Sequence, residues 1–121
     1  MSSEELKKGF KAFALRIIKL AESLPDNLTG NVIAKQIIRS GTSSGANYRA
    51  ACIAKSKRDF INKLKIVEEE LDETLYWLEL VMEANLVRET LLQKLVIENE
   101  ELLKIIISSI NTVKKTINDK P

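Results

Sequence analysis

The chain has 121 residues, of which 45% are apolar, so it is long enough for one domain with a hydrophobic core and too apolar for an intrinsically disordered protein. Its net charge of +2 hides an asymmetry, because residues 1–65 carry 13 Lys and Arg against 5 Asp and Glu, whereas residues 66–121 carry 6 against 12. The sequence has no run of 18 apolar residues and no histidine, which excludes a membrane-spanning helix and every site built on imidazole.

The first two predicted elements are helices separated by a proline turn. Apolar residues recur at spacings of three and four over approximately residues 3–24, and Pro25 follows the end of this helix. A second helix is predicted over approximately residues 30–54, with the Thr29 hydroxyl accepting a hydrogen bond from a free amide of its first turn. Both segments are long enough to form a full side of a helical bundle.

The stretch IIRSGTSSGANYRAA, residues 37–51, contains two glycines and four Ser and Thr residues, which suit either a loop or a helix of small residues. The helical rhythm from Ile33 to Ala51 continues through it, and Gly41 and Gly45 fall four apart on one face. A phosphate-binding P-loop would need Lys and then Ser or Thr directly after the second glycine, where this chain has Ala and Asn. We therefore predict a continuous second helix in which both glycines allow a neighbouring helix to pack closely. A kink or loop stays open as the alternative.

Two further helices are predicted in the second half of the chain. Ser56 can cap one over approximately residues 57–84, and the other covers approximately residues 88–117. No linker or repeat separates the four segments, so residues 1–121 are predicted to form one domain. Since short connections favour antiparallel neighbours, the predicted fold class is all-α, an antiparallel up-down-up-down four-helix bundle.

The last two predicted helices have more apolar surface than one buried stripe requires. Leu103, Ile105 and Ile107 widen the apolar sector of the fourth helix, and Tyr76 and Trp77 widen that of the third. A thicker core could use these side chains, but they favour contact between identical chains, and we predict a homo-oligomer.

The residue types needed for catalysis or metal binding are scarce. Without histidine, the lone Cys52 cannot complete a zinc site or a thiolate–imidazole pair, and it is predicted to be a small buried residue. The carboxylates of Glu69, Asp72 and Glu73 share one helical face and could hold Mg²⁺ or Ca²⁺, yet one helix supplies no closed set of ligands. We therefore predict no catalytic residue, no metal site and no cofactor.

Cations concentrate around the second helix and its connection to the third. Exposed cations of this kind are sufficient for contacts with phosphate groups, although no sequence-specific nucleic-acid-binding module is present. The alternative is that the basic half faces an acidic half, within the bundle or on a neighbouring subunit. The candidate nucleic-acid-binding residues are Arg39, Arg49, Lys55, Lys57, Arg58 and Lys63.

The segments IRSGTSSGANYRAA and KRDFINKLKIVEEELDETLYWLELV, followed by a Leu- and Glu-rich last helix, resemble the bacterial four-helix bundle proteins encoded in intervening sequences of 23S ribosomal RNA genes. The resemblance covers approximately residues 8–116. It implies an antiparallel bundle that assembles as a homopentamer, with residues 37–51 inside the second helix, and it supplies no catalytic residue. The related accessory variability determinants of diversity-generating retroelements are basic pentamers that bind nucleic acid and a reverse transcriptase, whereas the net charge of this chain is only +2.

These observations lead to two hypotheses from different classes. The first is a cytoplasmic, non-enzymatic, oligomeric bundle that acts as an RNA- or ribosome-associated binding protein, with RNA or single-stranded DNA as its ligand. The basic first half and the resemblance to proteins of ribosomal RNA genes motivate it. The second is a structural adaptor that binds other proteins and has no nucleic-acid role. The lone cysteine and the N-terminal segment MSSEELKKGF, which has no apolar signal core, favour the cytoplasm.

Overall fold

The computed structural model describes residues 1–118, which form four helices joined by short connections. Helix α1 spans Ser3–Ser23, α2 spans Leu28–Cys52, α3 spans Lys57–Glu83 and α4 spans Glu89–Asn118. Each helix packs against the next along the chain, and α1 also contacts α4, which closes a four-helix bundle. The predicted all-α bundle is confirmed, with every helix boundary within two residues of its predicted position. None of these four helices is long and apolar enough to cross a lipid bilayer.

Side chains in the connections satisfy free backbone amides at the helix N-termini. Oδ1 of Asn27 accepts a hydrogen bond from the Gly30 amide at 2.9 Å, so Asn27 caps α2 and the predicted cap at Thr29 is wrong. Thr29 instead lies inside the first turn, because α2 begins two residues earlier than predicted. The Ser56 hydroxyl accepts a hydrogen bond from the Asp59 amide at 3.0 Å, which confirms the predicted cap of α3.

Contacts between α1 and α2 show that these two helices run antiparallel. A Cβ atom at Gly41 would lie 2.8 Å from Cγ2 of Ile17, and one at Gly45 would lie 3.1 Å from Cβ of Phe10. Residue numbers rise along α2 while those of the contacted residues fall along α1. Both contacted side chains are almost fully buried, so the two glycines bring the backbone of α2 directly onto the core face of α1.

Helix α2 continues without a break through residues 37–51, as predicted from its rhythm. The hydroxyl groups of Thr42 and Ser44 donate to the carbonyl oxygens of Ile38 and Gly41, at 2.7 and 3.1 Å. These bonds satisfy the small polar side chains within their own helix, and the segment therefore needs no loop to accommodate them.

Another side of the same stretch packs on α3 through a buried polar pair. Ser40 and Thr74 are inaccessible to solvent, and their hydroxyl oxygens lie 2.9 Å apart. The Thr74 hydroxyl is also 2.8 Å from the carbonyl oxygen of Glu70. Small side chains thus allow α2 to approach α1 on one side and α3 on the other.

The core contains one large polar side chain, Asn99 of α4. Its Nδ2 donates to the carbonyl oxygen of Leu71 in α3 at 3.1 Å, while its Oδ1 has no hydrogen-bond partner within the described chain. Leu71 and Asn99 are both fully buried. A buried amide with one fixed partner favours a single register between two helices over shifted ones, at some cost in stability.

The contact between α1 and α4 is the least extensive of the four helix–helix contacts. The guanidinium of Arg16 forms a two-pronged ion pair with Glu98, with Nε 2.8 Å from Oε2. Beside this pair lies a groove of about 370 Å³, which we call the α1–α4 groove, lined by the apolar side chains of Leu20, Leu91 and Leu95. The bundle is therefore tight on three sides and more open on the fourth.

Leucine in place of Gly41 or Gly45 is expected to destabilise the bundle. The larger side chain must push against Ile17 or Phe10, and overpacking of this kind costs about 1–3 kcal/mol of unfolding free energy. The higher helix propensity of leucine returns less than about 1 kcal/mol, so the steric cost prevails. Urea unfolding followed by circular dichroism measures both variants. A Gly45→Leu protein as stable as the parent would contradict the close packing.

Candidate nucleic-acid interface

The bundle gathers most of its cations at one end, which we call the basic end. It comprises the start of α1, the end of α2, the start of α3 and the end of α4, within residues 1–11, 46–65 and 108–118. Eleven cations share these ranges with only three carboxylates, so the asymmetry between the sequence halves becomes an asymmetry between the bundle ends. The cations are Lys7, Lys8, Lys11, Arg49, Lys55, Lys57, Arg58, Lys63, Lys65, Lys114 and Lys115.

Arg49 lies beside three lysines of α1 that sequence reasoning did not select. It shares a surface depression with Lys7, Lys8, Lys11 and Glu4. These residues are far apart in sequence, and the antiparallel pairing of α1 with α2 brings them together. The sequence does show the three lysines close together near the start of α1. Their proximity to Arg49 becomes visible only in the structure, where the start of α1 lies next to the end of α2.

Lys55, Lys57 and Arg58 lie together at the connection between α2 and α3. All three residues are exposed. The ion pairs formed within residues 1–118 leave these three side chains and that of Arg49 without a carboxylate partner. The four cations are therefore available to an external anion.

Carboxylates hold the other two selected cations, Lys63 and Arg39. Nζ of Lys63 lies 3.0 Å from Oδ1 of Asp59, and this hydrogen bond holds the pKa of Asp59 below its ordinary value. Arg39 lies midway along α2, outside the basic end, and pairs with Glu70 and Glu73 of α3. Lys63 therefore lies at the basic end but is paired with a carboxylate, and Arg39 links α2 to α3 through ion pairs outside the basic end.

Acidic side chains of α3 bound the basic end. Glu73 accepts a hydrogen bond from the Trp77 indole at 3.0 Å, and this bond, followed by that from Arg39, lowers the pKa of Glu73. Glu69 and Asp72 are exposed nearby. No group of three or more Asp, Glu, Cys or His side chains in the described part of the chain is arranged to hold a metal ion. A polyanion is repelled by this part of α3, so contact would be confined to the end of the bundle.

Tyr48 and Cys52 are the nucleophilic side chains at the end of α2. The Tyr48 ring is buried and stacks on Phe10 with centroids 5.2 Å apart, and burial raises the pKa of its hydroxyl above the ordinary value. Cys52 is half-buried, so the prediction that it is buried is only partly correct. The tyrosine therefore stays protonated at neutral pH and serves the packing of α1 on α2.

Comparison with known proteins agrees with this architecture. A family profile described as 23S rRNA-intervening sequence protein matches residues 4–108, most of the chain. The chain belongs to this family. The resemblance predicted from the segments in α2 and α3 is thereby confirmed. The match covers all of α1 except its first residue, all of α2 and α3, and most of α4.

A solved structure shares the bundle of this 23S rRNA-intervening sequence family member. It is the 1.70 Å crystal structure of a protein with unknown function from the S23 ribosomal protein family of Bacteroides thetaiotaomicron. The two chains are 40% identical and superpose with a TM-score of 0.85, and the match covers 92% of this chain and 99% of that chain. No curated protein matches the chain. The comparisons therefore establish family and fold, and the function must be argued from the basic end.

Proposed function

We propose that this protein is a non-enzymatic, cytoplasmic bundle that binds RNA through its basic end. The observation that carries the proposal is the segregation of charge, since eleven cations and three carboxylates share one end of the described bundle. Membership of a family named for intervening sequences of 23S rRNA supports RNA as the polyanion. Arg49, Lys55, Lys57 and Arg58 are the cations best placed to contact phosphates, because none of their side chains forms an ion pair with a carboxylate within the described residues.

Charge-driven contact of this kind has low sequence specificity and strong salt dependence. Each phosphate contacted on a single strand contributes about 0.7 to the slope of log K against log salt. Filter binding of structured RNA, single-stranded RNA and single-stranded DNA at low and physiological salt therefore tests the proposal. We expect binding at low salt that weakens steeply as salt rises, and absence of binding at low salt would contradict an RNA-binding role.

The competing function is that of a structural adaptor, and the α1–α4 groove is the observation that favours it. The exposed side chains of Leu15, Leu91 and Ile97 lie on the two helices that form the groove. Lys19 and Lys94 line the groove as well, so it would suit an acidic partner surface. An adaptor would bind an acidic protein partner through this groove, and it would bind no RNA even at low salt.

We propose that the groove also supports self-association, with a homopentamer as the specific expectation. A closed ring of three or more subunits needs two different surfaces on each subunit. The apolar α1–α4 groove with its lysines and the acidic outer face of α3 form such a complementary pair. The number five comes from the family resemblance alone. Sedimentation equilibrium at micromolar concentration measures the assembly, and we expect Leu91→Glu to shift it toward the monomer.

The matched control for Leu91→Glu is Leu28→Glu, because Leu28 is also exposed but lies on α2 and does not line the groove. A parent protein that sediments as a monomer would remove the self-association proposal. A dimer or tetramer would keep self-association and reject the pentamer.

A further inference from the structure

A groove between α1 and α2 extends from the basic end toward the middle of the bundle. It encloses about 200 Å³, and Gly45 and Ala46 of α2 lie along it. Three cations, Lys7 and Lys11 of α1 and Arg49 of α2, line the same groove and also the adjoining depression. One narrow surface channel therefore has cations on both of its sides.

The groove is open because the α2 side chains along it are small. Gly45 has no side chain, and its backbone lies so close to α1 that an added Cβ would be 3.1 Å from Cβ of Phe10. Ala46 is exposed beside it and contributes a single methyl group. A larger residue at the Ala46 position would occupy the space between the cations.

We infer that this groove holds the phosphodiester backbone of a single RNA strand, with Lys7, Lys11 and Arg49 against its phosphates. The inference rests on the proposed RNA binding and gives the strand a path. Lys7 and Lys11 are one helical turn apart, about 6 Å along α1, which is close to the separation of successive phosphates on one strand. Arg49 faces them from α2, so a strand in the groove meets a cation on each side.

The dimensions of the groove favour a single strand over a duplex. The groove is small, about 200 Å³, and Lys7 and Lys11 of α1 face Arg49 of α2 across it, so one sugar-phosphate backbone can contact cations from both sides. A duplex can present only its outer phosphates, whereas a flexible single strand can enter and place its sugars against the small residues of α2. The ligand class is therefore single-stranded RNA, and blunt-ended duplex RNA is the control ligand.

Glu4 acts as an internal competitor for the strand. Its Oε1 lies 3.0 Å from Nζ of Lys7, and this hydrogen bond holds the pKa of Glu4 below its ordinary value. The Glu4 carboxylate is therefore charged at neutral pH, and it pairs with Lys7, a cation that would otherwise contact a phosphate of the strand. Removing this charge frees Lys7 for a phosphate.

The test measures binding of fluorescent oligouridylate by anisotropy at about 0.1 M salt, where each single-strand phosphate contact is worth about fivefold in affinity. We expect Ala46→Leu to weaken binding about fivefold or more, because leucine lifts the strand from the cations. Ala84→Leu makes the same change at an exposed position at the opposite end and should bind like the parent. We expect Glu4→Gln to strengthen binding up to about fivefold.

The outcomes separate the groove from the proposed RNA binding. If Lys55→Ala, Lys57→Ala and Arg58→Ala together weaken binding while Ala46→Leu and Glu4→Gln match the parent, the groove assignment fails and RNA binding stands. If Ala46→Leu weakens binding of blunt duplex RNA as much as that of oligouridylate, the assignment to a single strand is overturned. If the parent does not bind oligouridylate even at low salt, both proposals fall.

Discussion

Substituting Gly30 by alanine is expected to destabilise the bundle by about 3 kcal/mol, at the upper end of the range for overpacking. A Cβ atom at Gly30 would lie 1.9 Å from the carbonyl oxygen of Pro25 and 2.9 Å from its carbonyl carbon. The obstructing atoms belong to the backbone, so they cannot rotate away as a flexible side chain can. The α1–α2 connection must shift, and the hydrogen bond from the Gly30 amide to Asn27 is strained with it.

The matched control is Gly9→Ala, the same chemical change inside α1. No atom lies within 4 Å of a Cβ placed at Gly9, so alanine should stabilise the protein by up to about 1 kcal/mol through its higher helix propensity. Urea unfolding of both variants and the parent gives the comparison. Equal or greater stability of Gly30→Ala would show that the connection does not pack on α2 as described.

Combined replacement of Lys55, Lys57 and Arg58 by alanine is expected to weaken single-stranded RNA binding about a hundredfold at about 0.1 M salt. Each lost phosphate contact removes about 0.7 from the salt slope, so three contacts reduce the slope by about 2. The three residues are exposed and outside the described ion pairs, and the fold should be unaffected by their loss.

The control for this variant removes the same charge elsewhere. Lys35, Arg88 and Lys104 are two lysines and one arginine, all exposed and all outside the basic end. Their combined replacement by alanine should change the slope of log K against log salt by no more than about 0.7, the contribution of one phosphate contact. If the two triple variants lose the same amount of RNA affinity, the net charge of the protein, rather than the basic end, governs binding. The oligomeric state of each variant is measured alongside, because assembly multiplies the number of contacts.

The fold was predictable because helix periodicity is a local property. Apolar spacing extends through Gly41 and Gly45, and α2 is continuous there because residues on both sides form helix and both glycines pack on α1. The start of α2 was harder to predict, because Asn27 and Thr29 can both cap a helix and the backbone conformation of the connection decides between them.

The candidate site was less predictable because it depends on which residues tertiary structure brings together. The neighbouring sequence does not distinguish Arg39 from Arg49. In the structure, however, Arg39 forms ion pairs with two carboxylates of α3, whereas Arg49 lies beside three lysines of α1. Lys7 and Lys11 joined the candidate residues only after α1 and α2 were paired. The steric demand at Gly30 is equally non-local, since it arises from a carbonyl group of the preceding connection.

The basic end is the surface that we propose contacts RNA. Ultraviolet cross-linking of bound single-stranded RNA, followed by mass spectrometry of the cross-linked peptides, locates that surface directly. We expect cross-links in residues 1–11 and 46–65, within the start of α1 and around the α2–α3 connection. Cross-links confined to residues 66–107, which include the acidic part of α3, would contradict the account.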